Sequence, residues 1–165
     1  MIRFLSPEQH AIYRRIRVEA LSADPGAFGE TLAAIQSRSD SDLVQWLSQA
    51  IVPERKAIAY IEEQGHCVAM CGFRLSDEDK SIGAFWGMFV SPPHRRKGYG
   101  RLLLEAAESW ISEHDGGRVL ARVAAPNDSA ITFYRSCGYS IGGQKGTLRP
   151  GSNIPVYEIC KMIQA

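Results

Sequence analysis

The chain has 165 residues, 45% of them apolar, and a formal net charge of +1, which is enough material for one domain with its own core, expected to span residues 1–165. So balanced a charge excludes a protein that binds nucleic acid or other polyanions over its whole surface, and it confines any basic function to a local patch. No apolar run approaches the roughly 18 residues of a membrane span, and Met1 to His10 lacks the apolar core of a signal peptide, so a soluble cytoplasmic protein is expected.

Ile2 to Leu5 reads as a short strand. Ser6-Pro7-Glu8-Gln9 combines an N-cap, a first-turn proline and a capping-box glutamine, so a helix is expected to start there. It continues through Ile12, Ile16, Val18 and Leu21 until Asp24-Pro25-Gly26 stops it. Its Arg14, Arg15 and Arg17 read as a solvated helical face, since no aromatic interleaving or overall basicity supports nucleic-acid binding. Phe28 to Ser37 is mixed, helix or loop. Ser39 or Asp40 can cap a second helix through Leu43, Trp46, Leu47 and Ile51, closed by Pro53. The period then changes. Lys56 to Glu62, Cys67 to Leu75 and Ile82 to Val90 are strand-like, separated by Glu63-Gln64-Gly65 and by the acidic turn Ser76 to Lys80. Three successive strands without a helix imply an antiparallel meander.

Beyond Val90, Leu102, Leu103, Ala106, Ala107, Trp110 and Ile111 recur at helical spacing. Arg118 to Val123 is the next strand, and a strand-helix-strand unit of this kind demands a crossover with parallel strands. A helix over Asn127 to Cys137 and strands over Tyr139 to Gln144 and Val156 to Ile163 follow, the last two joined by a long loop, Lys145 to Pro155. The fold class is α/β in the α+β sense: a mixed, mainly antiparallel sheet of six or seven strands with helices on both faces. Cys67, Cys71, Cys137 and Cys160 show no Cys-x-x-Cys spacing, although Cys67 and Cys71 should share one face of a strand. They read as buried free thiols, and no metal is expected.

The most informative run is Arg95-Arg96-Lys97-Gly98-Tyr99-Gly100, set between an apolar strand and an amphipathic helix. Unpaired N–H groups at such a helix start form an anion site. A Walker-type loop needs Gly, four residues, then Gly-Lys-Ser/Thr, which the chain lacks. A dinucleotide fingerprint needs a third glycine where Leu103 stands and an acid about 20 residues on, where Ala121 and Arg122 stand. The pattern Arg/Gln-x-x-Gly-x-Gly/Ala does match, at Arg95, Gly98 and Gly100. It resembles the acetyl-CoA pyrophosphate loop of the GNAT superfamily of N-acetyltransferases. The segment Ala125 to Tyr139 (APNDSAITFYRSCGY) resembles the same family's strand-Asn-helix-Tyr-Gly-Phe/Tyr block.

The resemblance implies a splayed parallel strand pair forming an acyl-CoA cleft. Arg95, Arg96, Lys97, Gly98, Tyr99, Gly100 and Arg101 would bind the pyrophosphate, and the strand edge at Met88, Phe89 and Val90 would pair with the pantetheine arm. Asn127 would both cap its helix and contact that arm. Gly87 suits a bulge that opens the cleft, with an N–H near Met88 aimed at the thioester carbonyl. Tyr134 is the expected catalytic residue, protonating the leaving thiolate, while Phe133 and Tyr139 read as core. Many family members carry a glutamate on the strand equivalent to Ile82 to Val90, and none stands here. Glu30, Glu62 and Glu158 are the acids available by position, and none is nominated as base; Cys137 is not expected to be a nucleophile. The implied activity is direct acetyl transfer from acetyl-CoA to a primary amine of a small molecule, amino acid or protein, with Phe28 to Trp46 and Lys145 to Pro155 selecting the acceptor. No nucleic-acid or membrane partner is implied, and a homodimer is left open. The alternatives are a non-catalytic CoA-binding regulatory module and a nicotinamide-dinucleotide protein.

Overall fold

The computed structural model describes residues 1–163; positions 164 and 165, the end of the expected 1–165 span, lie outside the described residues. In chain order the strands are β1 (Ile2–Phe4), β2 (Lys56–Glu63), β3 (His66–Leu75), β4 (Ile82–Val90), β5 (Arg118–Ala124), β6 (Ser140–Thr147) and β7 (Pro155–Met162). They form one sheet in the order β1-β2-β3-β4-β5-β7-β6. The β2-β3-β4 meander is antiparallel, and β4 with β5 is the parallel pair that the crossover demanded. The helices are α1 (His10–Ala23), α2 (Leu32–Ser37), α3 (Asp40–Ala50), α4 (Tyr99–Glu113) and α5 (Asp128–Ser136).

Strand alternation explains why helices cover both faces. On β2, Ile58 and Tyr60 pack with Tyr13, Ile16, Leu43 and Leu47, whereas Ala59 and Ile61 pack with Leu103, Leu104, Ala107 and Ile111. Each helix buries one stripe. In α4 that stripe is Leu103, Leu104, Ala107 and Ile111, while Leu102, expected on the apolar side, is 44% exposed because it falls off that face.

Several boundaries differ from the sequence expectation. The Ser6 N–H donates to Gln9 Oε1 at 2.9 Å as a capping box requires, yet Pro7–Gln9 is a 3-10 turn and α1 proper begins at His10. The ambiguous stretch before Ser37 contains α2, capped by Thr31, whose Oγ1 accepts the Ala34 N–H at 3.2 Å. Ser39 caps α3 through its Oγ and the Asp42 N–H at 3.1 Å. Strand β6 runs on to Thr147, so the loop expected from Lys145 is only residues 148–154, closed by the Leu148 N–H to Ile154 O bond at 2.8 Å. Gly146 has φ +88, and an edge strand with two register shifts accommodates such a residue where a central strand would not.

Two bulges change which face side chains reach. The β2–β3 register slips beside Val68, so that Ile61 faces Ala69 but Glu62 faces Cys67. Cys67 therefore packs with the α1 layer and Cys71 with the α4 layer, contrary to the expected shared face. On β4, Phe89 pairs with Met70 and Trp86 with Gly72, which leaves one extra residue at Gly87-Met88. Gly87 has φ +62, the left-handed conformation a glycine bulge uses. Phe85 and Phe89 would share a face in a regular strand; here Phe85 joins the α4 core and Phe89 the α1 core.

Candidate functional site

The pairing of β4 with β5 extends only over Ile82–Ala84 against Arg118–Leu120 and stops before the bulge at Gly87. Beyond it the strands part, and β5 continues with β7 alone. Two adjoining cavities fill the gap, of about 560 and 1110 Å³, sharing Phe28, Phe85, Trp86, Gly87, Arg122 and Ala124 in their walls.

The smaller cavity brings together the loop, the β4 edge, Asn127 and Tyr134. Gly98 is the N-cap of α4 with φ +85, and Arg96 has φ +63. Gly100 matters for room instead: a Cβ there would meet the Phe133 ring at 3.3 Å. The Arg95 N–H bonds to Pro92 O and the Leu102 N–H to Gly98 O; the amides of residues 96–101 have no backbone acceptor among the described residues. They form a row of donors at the positive end of a helix 15 residues long.

The basic side chains divide. Arg95 donates from Nε to Val90 O at 2.9 Å, pairs with Asp24, and lies over the Phe89 ring at 5.7 Å. It thus staples the loop to β4, and it occupies one carbonyl of the very edge expected to pair with a ligand. Lys97 and His94 share Glu63, at 3.5 and 3.0 Å. Arg96 and Arg101 make no ion pair among the described residues. Of the expected edge residues, Met88 and Val90 pack partly against the α4 core, and the Phe89 side chain is 3% exposed in the α1 core.

Asn127 Oδ1 accepts the Ala130 N–H at 3.1 Å, which caps α5 and leaves the carboxamide nitrogen available to a ligand in the cleft. Tyr134 is buried against Phe85, Phe133 and Tyr139, with ring centroids 5.4, 5.2 and 6.0 Å away. Its hydroxyl has no hydrogen-bond partner among the described residues, although the side chain lines the cavity. Burial pushes its phenol well above the ordinary tyrosine range, with Cys71 and Cys137 adding to the shift. The group therefore keeps its proton. Tyr139 is core as expected, with its hydroxyl on Glu108 Oε1 at 2.9 Å. Phe133 is only partly buried and lines the cavity beside Gly100.

The larger cavity lies on the other side of Gly87. Its walls include Phe28, Glu30, Arg38 and Trp46 from the N-terminal third and Leu148 and Arg149 from the last loop, the two segments expected to select a substrate. Arg149 Nη1 donates to Phe28 O at 2.9 Å and ties them together. Of the three acids, Glu62 lies outside both cavities and pairs with Arg3 at 3.5 Å. Glu30 is held by Arg17 and Arg38, at 3.1 and 3.2 Å. Glu158 lines the cavity, and its carboxylate makes no hydrogen bond or ion pair among the described residues.

Arg17 is the residue that sequence reading misplaced. It is 5% exposed and lines this cavity instead of facing solvent. The signal was its position, because Tyr13, Ile16, Arg17, Ala20 and Leu21 form one buried stripe in which arginine is the exception. No group of three or more His, Cys, Asp or Glu placed to hold a metal occurs among the described residues, and no helix among them is long and apolar enough to cross a membrane.

A family model described as the acetyltransferase (GNAT) family matches residues 18–139. Streptothricin acetyltransferase from Streptomyces lavendulae is 35% identical over 63 residues, which is 38% of this chain and only 33% of that protein's length. An acetyltransferase of the GNAT family from Streptococcus pneumoniae superposes with a TM-score of 0.83 at 18% identity, covering 99% of each chain. A Salmonella typhimurium protein assigned as an acetyltransferase, solved with its cofactor acetyl-CoA, superposes at 0.78 with 18% identity, covering 100% of this chain and 94% of the other. At such identities the superpositions speak to the fold.

Proposed function

The chain belongs to the acetyltransferase (GNAT) family, and from that premise we propose that it is an acetyl-CoA-dependent N-acetyltransferase, acting as one domain, that moves an acetyl group directly to a primary amine. The observation that carries the reading is the convergence in one cleft of Arg96 and Gly98 to Arg101, whose amides have no backbone acceptor among the described residues, the Asn127 carboxamide and a protonated Tyr134.

Acetyl-CoA supplies an activated thioester and departs as a thiol. The residues present fit it: the amides of Arg96, Lys97, Gly98, Tyr99, Gly100 and Arg101 bind the pyrophosphate, each favourable interaction at the helix start contributing about 0.3 to 1 kcal/mol. Arg96 and Arg101 add unpaired charge, whereas Arg95 shapes the loop from behind. The β4 backbone at Met88, Phe89 and Val90 takes the pantetheine arm alongside Asn127. The Met88 N–H at the bulge polarises the carbonyl under attack. Tyr134 holds its proton until the sulfur leaves and then donates it. An alkylammonium has a pKa near 10.4 and must lose a proton first; of the three acids, Glu158 is the one positioned and free to draw it off through water.

Release of free thiol from acetyl-CoA across a panel of amines tests the proposal. Tyr134→Phe is expected to lower kcat by about 10²- to 10⁴-fold, the usual worth of a positioned acid, with acetyl-CoA affinity nearly intact. A CoA-binding module without turnover would be stabilised thermally by CoA and yet release no thiol with any amine. Stabilisation by NAD and not by CoA would overturn the family-based cofactor assignment.

A further inference from the structure

The larger cavity contains a charge arrangement that acetyl transfer alone leaves unexplained. Arg17 Nε and Nη2 both donate to Glu30 Oε2, at 3.3 and 3.1 Å, and Arg38 Nη2 lies 3.2 Å from Glu30 Oε1. Two guanidiniums thus share one carboxylate, an excess of one positive charge. Arg17 is 5% exposed, and the two guanidiniums lie over the Phe28 and Trp46 rings at 5.0 and 5.3 Å. The Nη1 atoms of Arg17 and of Arg38 are both buried without a hydrogen-bond partner. Orphaned donors and uncompensated charge in such surroundings are each destabilising, so they call for a function. The remaining cations of the cavity differ: Arg149 is engaged with Phe28 O, and Arg74 and Arg122 are exposed.

Position links the orphaned donors to the reaction. A Cβ placed on Gly87 would meet one atom within 4 Å, Arg17 Nη1 at 3.5 Å, and Gly87 lies in the wall shared by both cavities. We propose that the acceptor amine carries a carboxylate a few bonds away, as in an α-amino acid, and that Arg17 and Arg38 hold that carboxylate in the larger cavity. This rests on the acetyltransferase reading above. A carboxylate there supplies an acceptor to the paired guanidiniums and offsets the one positive charge that Glu30 leaves over. A simple alkylammonium would instead leave both Nη1 groups without an acceptor.

Acetyl transfer is measured for matched acceptors: an α-amino acid, its carboxamide, and the amine left by its decarboxylation, for several side chains. The amino acid is expected to exceed the decarboxylated amine in kcat/KM by roughly 10- to 100-fold, the scale of a charged hydrogen bond. Arg17→Gln and, independently, Arg38→Gln are expected to move that ratio toward one, chiefly by raising KM for the carboxylated acceptor. Equal use of amino acid and amine by the unmodified protein would sink the proposal, and so would an Arg17→Gln effect that lowers kcat by one factor for every acceptor. Equilibrium binding of the matched N-acetyl products in the presence of CoA reads the same preference without turnover and without either variant. Absence of transfer to any amine therefore counts against the acetyltransferase reading, while absence of a carboxylate preference in binding counts against this one.

Discussion

Replacing Gly87 by alanine separates the conformational cost of the β4 bulge from any steric cost. The residue has φ +62, and an added Cβ would meet only Arg17 Nη1, at the ordinary contact distance of 3.5 Å. What remains is the penalty for an L-residue in the left-handed region, about 1–2 kcal/mol. For a chain of this length that corresponds to a fall in Tm of about 2–8 °C, at roughly 2–4 °C per kcal/mol. Urea unfolding of Gly87→Asn, Gly87→Ala and Gly87→Val reads the difference, with losses expected to rise in that order, because asparagine tolerates this conformation and a β-branched residue does not. Gly72→Ala is the steric counterpart: its Cβ would lie 2.2 Å from the Trp86 ring. Its loss should be partly recovered by Trp86→Phe, and that of Gly87→Ala should not. Equal losses for Asn, Ala and Val at position 87 would refute the conformational account of the bulge.

Gly98→Val places a β-branched residue at φ +85 where a Cβ meets no atom within 4 Å, so CoA-dependent thermal stabilisation should fall more than the stability of the free protein. Alkaline pH should destabilise the fold. Burial raises the phenols of Tyr13, Tyr134 and Tyr139 above 10.0 and the thiols of Cys67, to about 12, and Cys71 above 9.0. Their protons are released more readily from the unfolded chain, so stability is retained below about pH 9 and lost as pH rises, by up to about 1.4 kcal/mol per pH unit for each group. Urea midpoints at pH 8 and pH 10.5 check this, and a flat profile contradicts it. Glu108 accepts from Tyr139 at 2.9 Å and pairs with Lys161 at 2.7 Å. Glu108→Ala should cost about 1–3 kcal/mol by stranding both partners, and Glu108→Gln less, since it keeps an acceptor for the phenol.

Most of what the sequence alone determined about this protein is local in the chain. The glycine-containing loop that starts α4, the Asn127 cap and the alternation of strands and helices each depend on residues within a few positions of one another, so short patterns carry them. The β4–β5 crossover was legible because a strand-helix-strand unit leaves little choice of direction. Features that depend on register or on distant partners were decided only by the tertiary structure. Whether Cys67 and Cys71 share a face, or Phe85 and Phe89, turns on one extra residue whose position is set by the neighbouring strand. Gly146 reads as loop until β7 is there to pair with its segment. Arg17 reads as solvated until Glu30, 13 residues away, and Phe28 enclose it. A buried charge is tolerable only with compensating groups in place, and here those groups come from segments that folding alone brings together.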